Sequence, residues 1–550
     1  MSKRSYALLV AATLAAYAWA PWSGFVWDDH HVIEHGRLIQ SLTNVPRLYA
    51  HDTMFNSDGG VFATAAAVDT YRPLTMTTLF VDRAIFGVHA AGFHVTSVLV
   101  HLGCVLLTFA LAMAIGLRER AALLAAAIFA VHPAISEAVH WIDGRSDPLC
   151  VLFFLAALLA WLRGRLVACA ALFFLATLCK ETAFLLAPAV LTLSSRRVRA
   201  QSTAAALAPW LAGGAVGLAL RLVALHRTAV AASAAHVGYA IERLPALWLD
   251  GLISLVVPTA QMPASLFERY QQVAPARTAI ALVVMALVSA LAVAMYRRRA
   301  VAPAWFVVSF AASLAPIALL AADEGWFGWG RYLYPAAPMF AVAVVEVGDQ
   351  LTREVRARVR SALAVAAVVI VILCAAQTFA AARDWRDDRA FATAMLADHP
   401  ESSAGWSELA VVELQDHHPE RAAELASRAV EIAPRNGRGW SRLATALMQL
   451  GRRADAFAAA DRALALDPGD VNGKYVLAIR RLGERKEADA AVLLVEVIAK
   501  EPEQQGPWQT LEQAARHLGA SSEFVRTVAQ LSAEPRYAAV AQRIREALPR

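Results

Sequence analysis

The sequence predicts an all-α protein in two parts: a polytopic membrane domain of about eleven spans, then a soluble α-solenoid. Three observations predict this. Apolar residues make up 58% of the chain and charged residues only 17%. Up to about Ala382 the apolar runs are broken by short charged knots. Beyond Arg383 charges are dense, and no run reaches the roughly 20 residues that cross a bilayer. Finally, Pro400, Pro434, Pro468 and Pro502 recur at a constant interval of 34 residues, which is the tetratricopeptide period. The chain accordingly divides into a membrane domain over 1–382, a junction over 383–399 and a repeat domain over 400–550.

The expected spans are 6–20, 92–115, 121–133, 149–162, 166–178, 183–193, 204–225, 279–296, 301–320, 335–347 and 361–380. Lys3 and Arg4 precede the first, and because further apolar segments follow it reads as an uncleaved span and not a removable signal. The net charge of +6 does not indicate a nucleic-acid partner, because the excess cations flank apolar runs: Arg118 and Arg120, Arg163 and Arg165, Arg196, Arg197 and Arg199, Arg297 to Arg299, Arg353 to Arg360. That is the positive-inside pattern. It places the N-terminus in the cytoplasm, the acidic or mixed loops (Asp28-Asp29, Glu137 to Asp147, Lys180-Glu181, Asp323 to Arg331) outside, and, with an odd span count, the repeats outside the cytoplasmic membrane. Several middle spans are shorter than an isolated helix needs and must be shielded by neighbours. Two segments, 76–86 and 246–257 between Pro245 and Pro258, read as helices lying along the interface. The five cysteines (Cys104, Cys150, Cys169, Cys179, Cys374) fall in or beside apolar runs with no close pair, and read as packed thiols.

In the soluble part, Trp406, Trp440 and Trp508 share a repeat phase with Lys474, and Leu409, Leu443, Leu477 and Leu511 share another. Small residues agree as well: Ala422, Ala456 and Ala490, then Ala429 and Ala463. This spacing builds about four pairs of antiparallel helices, the last degenerate as a terminal cap would be. Such solenoids bind extended peptides or dock partners.

The chemistry-bearing residues sit at the ends of apolar runs. Asp28 and Asp29 follow the first span, where one carboxylate of a pair can act as general base while the other holds geometry; the alternative is that Asp-Asp-His-His merely ends the helix and stays hydrated. Arg72 stands before Pro73 in a turn able to present it to a phosphate. His94 and His101, seven residues apart, share a helix face. His132, Glu137, Asp143-Gly144-Arg145-Ser146-Asp147, Lys180-Glu181 and Arg331-Tyr332 complete the series. Glu137 and Asp147 also have a purely structural explanation as salt-bridge partners of Arg145. His30, His31, His94 and His132 do not fall into a His-Glu-x-x-His spacing, so no metal site is expected. There is no Gly-x-x-x-x-Gly-Lys or Gly-x-Gly-x-x-Gly loop for a nucleotide. A carboxylate base beside several cations at a membrane surface suits a reaction on a lipid-borne phosphate.

The order of these patches, Trp27-Asp28-Asp29, Tyr71-Arg72-Pro73-Leu74, Phe93-His94, Phe129 to Pro133 with Glu137-Ala138-Val139, Gly144 to Asp147, Lys180-Glu181 and Arg331 to Pro335, followed by Arg383-Asp384-Trp385 and the repeats, resembles the transmembrane and tetratricopeptide-containing O-mannosyltransferases of the GT-C glycosyltransferase superfamily. The resemblance covers nearly the whole chain, with Ser146 where the family usually has alanine and a short repeat array. It implies a polyprenyl-phosphate sugar donor and a metal-independent, inverting transfer to a hydroxyl, with no cofactor. Asp28 or Asp29 would then be the base and Glu137 a second orienting carboxylate. Arg72, Arg145, Lys180 and Arg331 compete as the donor-phosphate clamp, with His94, His132, Asp147 and Tyr332 nearby. The repeats would hold an acceptor protein or peptide, while the spans meet membrane lipids. Two other functions fit the outline: a non-catalytic scaffold for envelope or pilus assembly, and a transporter of lipid-linked sugar, which would want ionisable residues at mid-membrane.

Overall fold

In a computed structural model, the structure describes residues 2–36, 38–51, 71–192, 203–225, 234–263, 266–270, 272–320, 330–353, 355–502, 504–534 and 537–548. The cationic knot at Arg196, Arg197 and Arg199, the part of the outer loop from Asp323 to residue 329, and residues 52–70 of the first outer loop lie outside them. The described residues are helical, with no strand among them. The chain forms two compact units, one ending at Asp398 and the other built on 399–550.

In the first unit the described residues of the expected segments are largely helical. Five helices among the described residues are long and apolar enough to cross a membrane, lying within Ala90–Ala114, Asp143–Leu162, Ala206–Leu225, Pro275–Arg297 and Ala357–Trp385. The others are shorter: Lys3–Ala16, Glu119–Ala130, Leu166–Cys179, Ala302–Leu320 and Ala337–Leu351, while 183–193 contains only a five-residue α-turn, Thr182–Leu186, and a 3-10 turn. A 25-residue helix rises about 37 Å, enough for the apolar core of a bilayer, whereas 14 residues reach only about 21 Å. The shorter helices are packed by neighbours: Glu119–Ala130 lies against Ala90–Ala114 and Ala337–Leu351, and Leu166–Cys179 against Ser146–Leu162. By contrast Leu287 and Val365 remain 65% and 64% exposed on the long helices, as expected of surfaces that face lipid.

The two segments read as lying along the interface are helical, with altered bounds. The first is Pro73–Phe86, with Pro73 at its first turn, where the missing N–H costs nothing. It buries Met76, Leu79 and Phe80 and exposes Ile85. The second starts at Ala234 and runs through Pro245 to Val256, so Pro245 does not open it; the lost backbone bond is tolerated inside a helix whose neighbours Ala246, Leu247 and Trp248 are buried.

In the second unit four helix pairs follow one another, Ser403–Gln415 with Pro419–Ile432, Gly437–Gln449 with Arg453–Leu466, Val471–Gly483 with Glu487–Lys500, and Gln505–Leu518 with Glu523–Ser532, then Ala538–Ala547. The proline period has a physical cause. The indole N–H groups of Trp406, Trp440 and Trp508 donate to the carbonyls of Pro400, Pro434 and Pro502 at 2.9, 2.8 and 2.8 Å, tying each first helix to the turn before it. Lys474, which replaces the tryptophan, instead reaches Glu496 at 2.7 Å. A second period accompanies the first: Ser402, Asn436 and Asp470 cap successive first helices by accepting from Gly405, Gly439 and Gly473. Replacing Trp440 with Phe keeps the ring and removes only the donor. A neutral hydrogen bond contributes about 1 kcal/mol, so amide exchange across 437–466 should quicken by roughly fivefold in the intact protein, as read by mass spectrometry.

Candidate active site at the helix ends

The patches singled out in the sequence converge, although Asp29 and Arg331 are some 300 residues apart. Every one of them is a loop or a helix end: the segment after Lys3–Ala16, the residues before Pro73–Phe86, the turns between Ala130 and Ser146, the end of Leu166–Cys179 and the 3-10 turn Gly330–Leu333. Trp27 stacks on Trp141 with ring centroids 4.8 Å apart. The Arg331 guanidinium lies over Trp141 at 4.4 Å and over Tyr332 at 4.9 Å. Lys180 Nζ lies 4.8 Å above the Tyr332 ring. An aromatic ridge therefore connects the Asp28-Asp29 loop to the cations.

Asp28 and Asp29 are both buried. Asp29 Oδ2 accepts from the Val26 N–H at 3.3 Å and Oδ1 from the Asp143 N–H at 3.1 Å. Burial, reinforced by the neighbouring Asp143 carboxyl, pushes Asp29 up to about 8 against the opposing effect of those N–H groups and His30. Trp27, just before the pair, holds a left-handed backbone at φ 54°, a conformation costly for a bulky residue unless its surroundings impose it. His30 donates from both ring nitrogens, to Glu34 at 2.6 Å and to Asp388 at 2.9 Å. Burial opposes its charge, but Asp388 and Glu34 outweigh burial and raise it to about 9.

Glu137 is 1% exposed and its Oε2 accepts the Gly330 N–H at 2.7 Å and the Arg331 N–H at 3.3 Å; Arg331 Nε is 3.9 Å from Oε1. Any side chain at 330 would collide with the Ala134 carbonyl, so glycine is required for this close approach. Burial disfavours the charged form of Arg331, but Tyr332, Glu137 and Asp147 more than compensate and its pKa is raised. Asp147 accepts from Lys180 Nζ at 2.5 Å. Arg72 makes a two-pronged pair with Glu181, at 2.7 and 3.3 Å. Burial opposes ionisation of Glu181, yet Arg72, with Lys180 and Arg221, holds it well below the usual carboxylate range.

Arg145 differs from the other cations. It is fully buried, and its guanidinium donates to Asp82 at 2.5 Å, Ser97 at 3.1 Å, Thr78 at 3.4 Å and the Phe93 carbonyl at 2.7 Å. The structural pairing envisaged for Glu137 and Asp147 with Arg145 is thus replaced: Asp82, from the helix Pro73–Phe86, takes Arg145, while Glu137 and Asp147 meet Arg331 and Lys180. The histidines act as anchors. His94 donates to the Gly24 carbonyl at 3.2 Å and His132 to the Leu255 carbonyl at 2.9 Å, burial lowering His132 to about 4. His101 bridges the Ala130 carbonyl and the Tyr334 hydroxyl. Among the described residues no three His, Cys, Asp or Glu side chains converge as a metal-ligand set, and all five cysteines are buried free thiols.

Four residues of this site were not singled out from the sequence. Asp143 and Trp141 stood within a quoted patch, and Glu181 beside Lys180, so a rule that every acid in an outer patch needs a named partner finds two of them. Asp388 carries no local signal, since its contacts lie 358 or more positions away.

Two outcomes follow. Asp29 holds its proton in the folded chain up to about 8 but releases it near the usual carboxylate value of about 4 when unfolded. The folded state therefore binds the extra proton between these values; the stability is fully present below about pH 4 and is lost as pH rises through 8. The detergent-solubilised protein should melt at progressively lower temperature from pH 5 to 9, and Asp29→Asn should flatten that slope. Arg145→Met strands Asp82 as a buried charge, which costs about 3–5 kcal/mol. Its melting temperature should fall well below that of Arg331→Met, measured in parallel.

Residues 437–470 match the tetratricopeptide repeat family. The chain is 35% identical over 170 residues to Protein O-mannosyl-transferase TMTC4 of Homo sapiens, covering 28% of this chain and 22% of that protein. It is 29% identical over 153 residues to Protein O-mannosyl-transferase TMTC3 of Mus musculus, covering 28% and 16%, and 25% identical over 162 residues to Protein O-mannosyl-transferase F38B6.6 of Caenorhabditis elegans, covering 28% and 22%. The chain thus spans between 16% and 22% of the length of these relatives. Over that stretch the chain is similar to the protein O-mannosyl-transferases, and residues 437–470 carry a tetratricopeptide repeat.

Proposed function

We propose that the chain is a membrane glycosyltransferase of GT-C type that moves a hexose such as mannose from a polyprenyl-phosphate donor to an acceptor hydroxyl, that of Ser or Thr on an exported protein, at the outer face of the cytoplasmic membrane. The observation that carries this reading is the convergence of Arg331, Lys180 and Arg72 with the buried acids Asp28, Asp29 and Glu137 and the half-buried Asp143 at the ends of apolar helices. The relatives' names support the reaction class. The donor's lipid tail lies along the apolar helices while its phosphate meets the cations.

In the reaction Asp28 takes the proton of the acceptor hydroxyl, whose oxygen attacks the anomeric carbon from the face opposite the phosphate. The bond from that carbon to the phosphate oxygen breaks, and the anomeric configuration inverts. The negative charge that develops on the departing polyprenyl phosphate is met by Arg331, whose fork is suited to phosphate, with Lys180 and Arg72 beside it. No metal is assigned a part. Asp28 is preferred to Asp29 as base because both Asp29 oxygens are engaged by backbone N–H groups and Asp29 keeps its proton up to about 8. Glu137 orients Arg331 by holding its backbone, and Arg145 with Asp82 holds the helices. The repeats present the acceptor. Their outer location is supported by the hydrogen bond from the Gly24 N–H to the Arg386 carbonyl at 2.9 Å, which puts the segments following the first and last apolar helices on one side.

Purified protein supplied with radiolabelled polyprenyl-phosphate mannose and an envelope extract should label protein, and labelling should persist in chelator. Asp28→Asn should lose about a hundredfold or more of the rate, as loss of a general base does, with membrane insertion intact. Absence of label in the wild type, or near-normal turnover by Asp28→Asn, would refute this assignment.

A further inference from the structure

The segment after the last apolar helix grips the loop that carries Asp28 and Asp29. Four hydrogen bonds join them: Ser23 Oγ to the Ala382 carbonyl at 3.3 Å, the Gly24 N–H to the Arg386 carbonyl at 2.9 Å, the Trp27 N–H to Asp388 Oδ1 at 2.9 Å, and His30 Nε2 to Asp388 Oδ2 at 2.9 Å. A methyl group on Gly24 would press on the Arg386 carbonyl at 3.1 Å, so the two backbones are in direct contact. Phe391, 1% exposed, stacks on the face of Trp27 at 6.0 Å with rings 19° apart. Phe391, Trp27, Trp141 and the Arg331 guanidinium thereby form one continuous pile.

Asp388 touches both ends of the same turn. One oxygen fixes the amide of Trp27, whose φ of 54° is an unfavourable state for a tryptophan; the other fixes His30, just past the acids. A carboxylate accepting at both positions holds the intervening Asp28-Asp29 dipeptide in one geometry, with charge-assisted bonds stronger than neutral ones. We propose that the helix Asp388–Asp398 is part of the catalytic centre and not a linker: Asp388 is a positioning residue for the base, and Phe391 is a positioning residue for Arg331 through the aromatic pile. This role rests on the transferase activity proposed above, and it adds that the site is complete only with residues up to 398.

The test uses the full-length protein with two readouts. In the transfer assay, Asp388→Ala should lower kcat by roughly ten- to a hundredfold, the loss expected when a reacting group is misplaced by about an ångström, with KM for polyprenyl-phosphate mannose within twofold. Asp388→Asn, which keeps an acceptor for the Trp27 amide, should recover part of the loss. Phe391→Leu should act mainly on donor KM, while Thr393→Ala, on the exposed side of the same helix, should leave both constants unchanged. Independently of activity, amide exchange of peptides covering 24–34 should quicken at least tenfold in Asp388→Ala and stay at the wild-type rate in Thr393→Ala. A kcat within twofold of wild type for membrane-inserted Asp388→Ala, or unchanged exchange in 24–34, overturns the positioning role. Should the wild type transfer no sugar, the transferase assignment falls, and the exchange arm alone decides whether Asp388 fixes the loop.

Discussion

Charge buried at the ends of apolar helices must be paired, and this requirement organises the first unit. An unpaired buried ion costs several kcal/mol even after relaxation, so each acid at a helix end selects a cation from another part of the chain. Asp82 selects Arg145, Asp147 selects Lys180, Glu181 selects Arg72 and Glu137 selects Arg331. The cations of these pairs differ in how closed they are: their side chains are 0% exposed at Arg145, 4% at Lys180, 12% at Arg331 and 23% at Arg72. The same interaction therefore yields scaffold where the cation is sealed and saturated, and a site where it keeps a face toward an incoming anion. Arg145 belongs to the first kind; under the proposed function Arg331 and Arg72 belong to the second.

Pairing alone does not place the carboxylates. The Asp28-Asp29 turn contains an unfavourable left-handed tryptophan, and such a turn persists only when several contacts agree on it. Here they come from opposite ends of the unit: Trp141 and the Asp143 amide from the turns before Ser146–Leu162, and Asp388, Arg386 and Phe391 from beyond Ala357–Ala381.

The sequence made the apolar segments, the 34-residue repeat and the outer patches legible, because each is a local pattern of period or hydropathy. It could not rank the cations. Arg145 and Arg331 look alike in sequence, each following a glycine in an outer patch, and what separates them is Asp82, 63 positions from Arg145. Nor could it separate the two aspartates, since the N–H groups that occupy Asp29 belong to Val26 and Asp143, the latter 114 positions away. The 383–399 segment read as a junction because nothing local distinguishes Asp388 from the exposed Asp387 beside it; only the fold brings one of them to His30.

The two units are specified by different ranges of interaction, and this bears on what each can tolerate. In the repeats, the tryptophan-to-proline bond joins residues six apart and the helix caps join residues two or three apart, so one repeat can lose its tryptophan and use Lys474 with Glu496 instead. In the membrane unit the corresponding bonds span 33 to 361 positions, and each partner also shapes the candidate site. A substitution there changes the packing of distant helices and the geometry of the reacting groups at once. Under the proposed function, changes in acceptor preference are expected in the repeats, where exchange of a local lock leaves the first unit unchanged, while the helix-end charges are constrained together as one set.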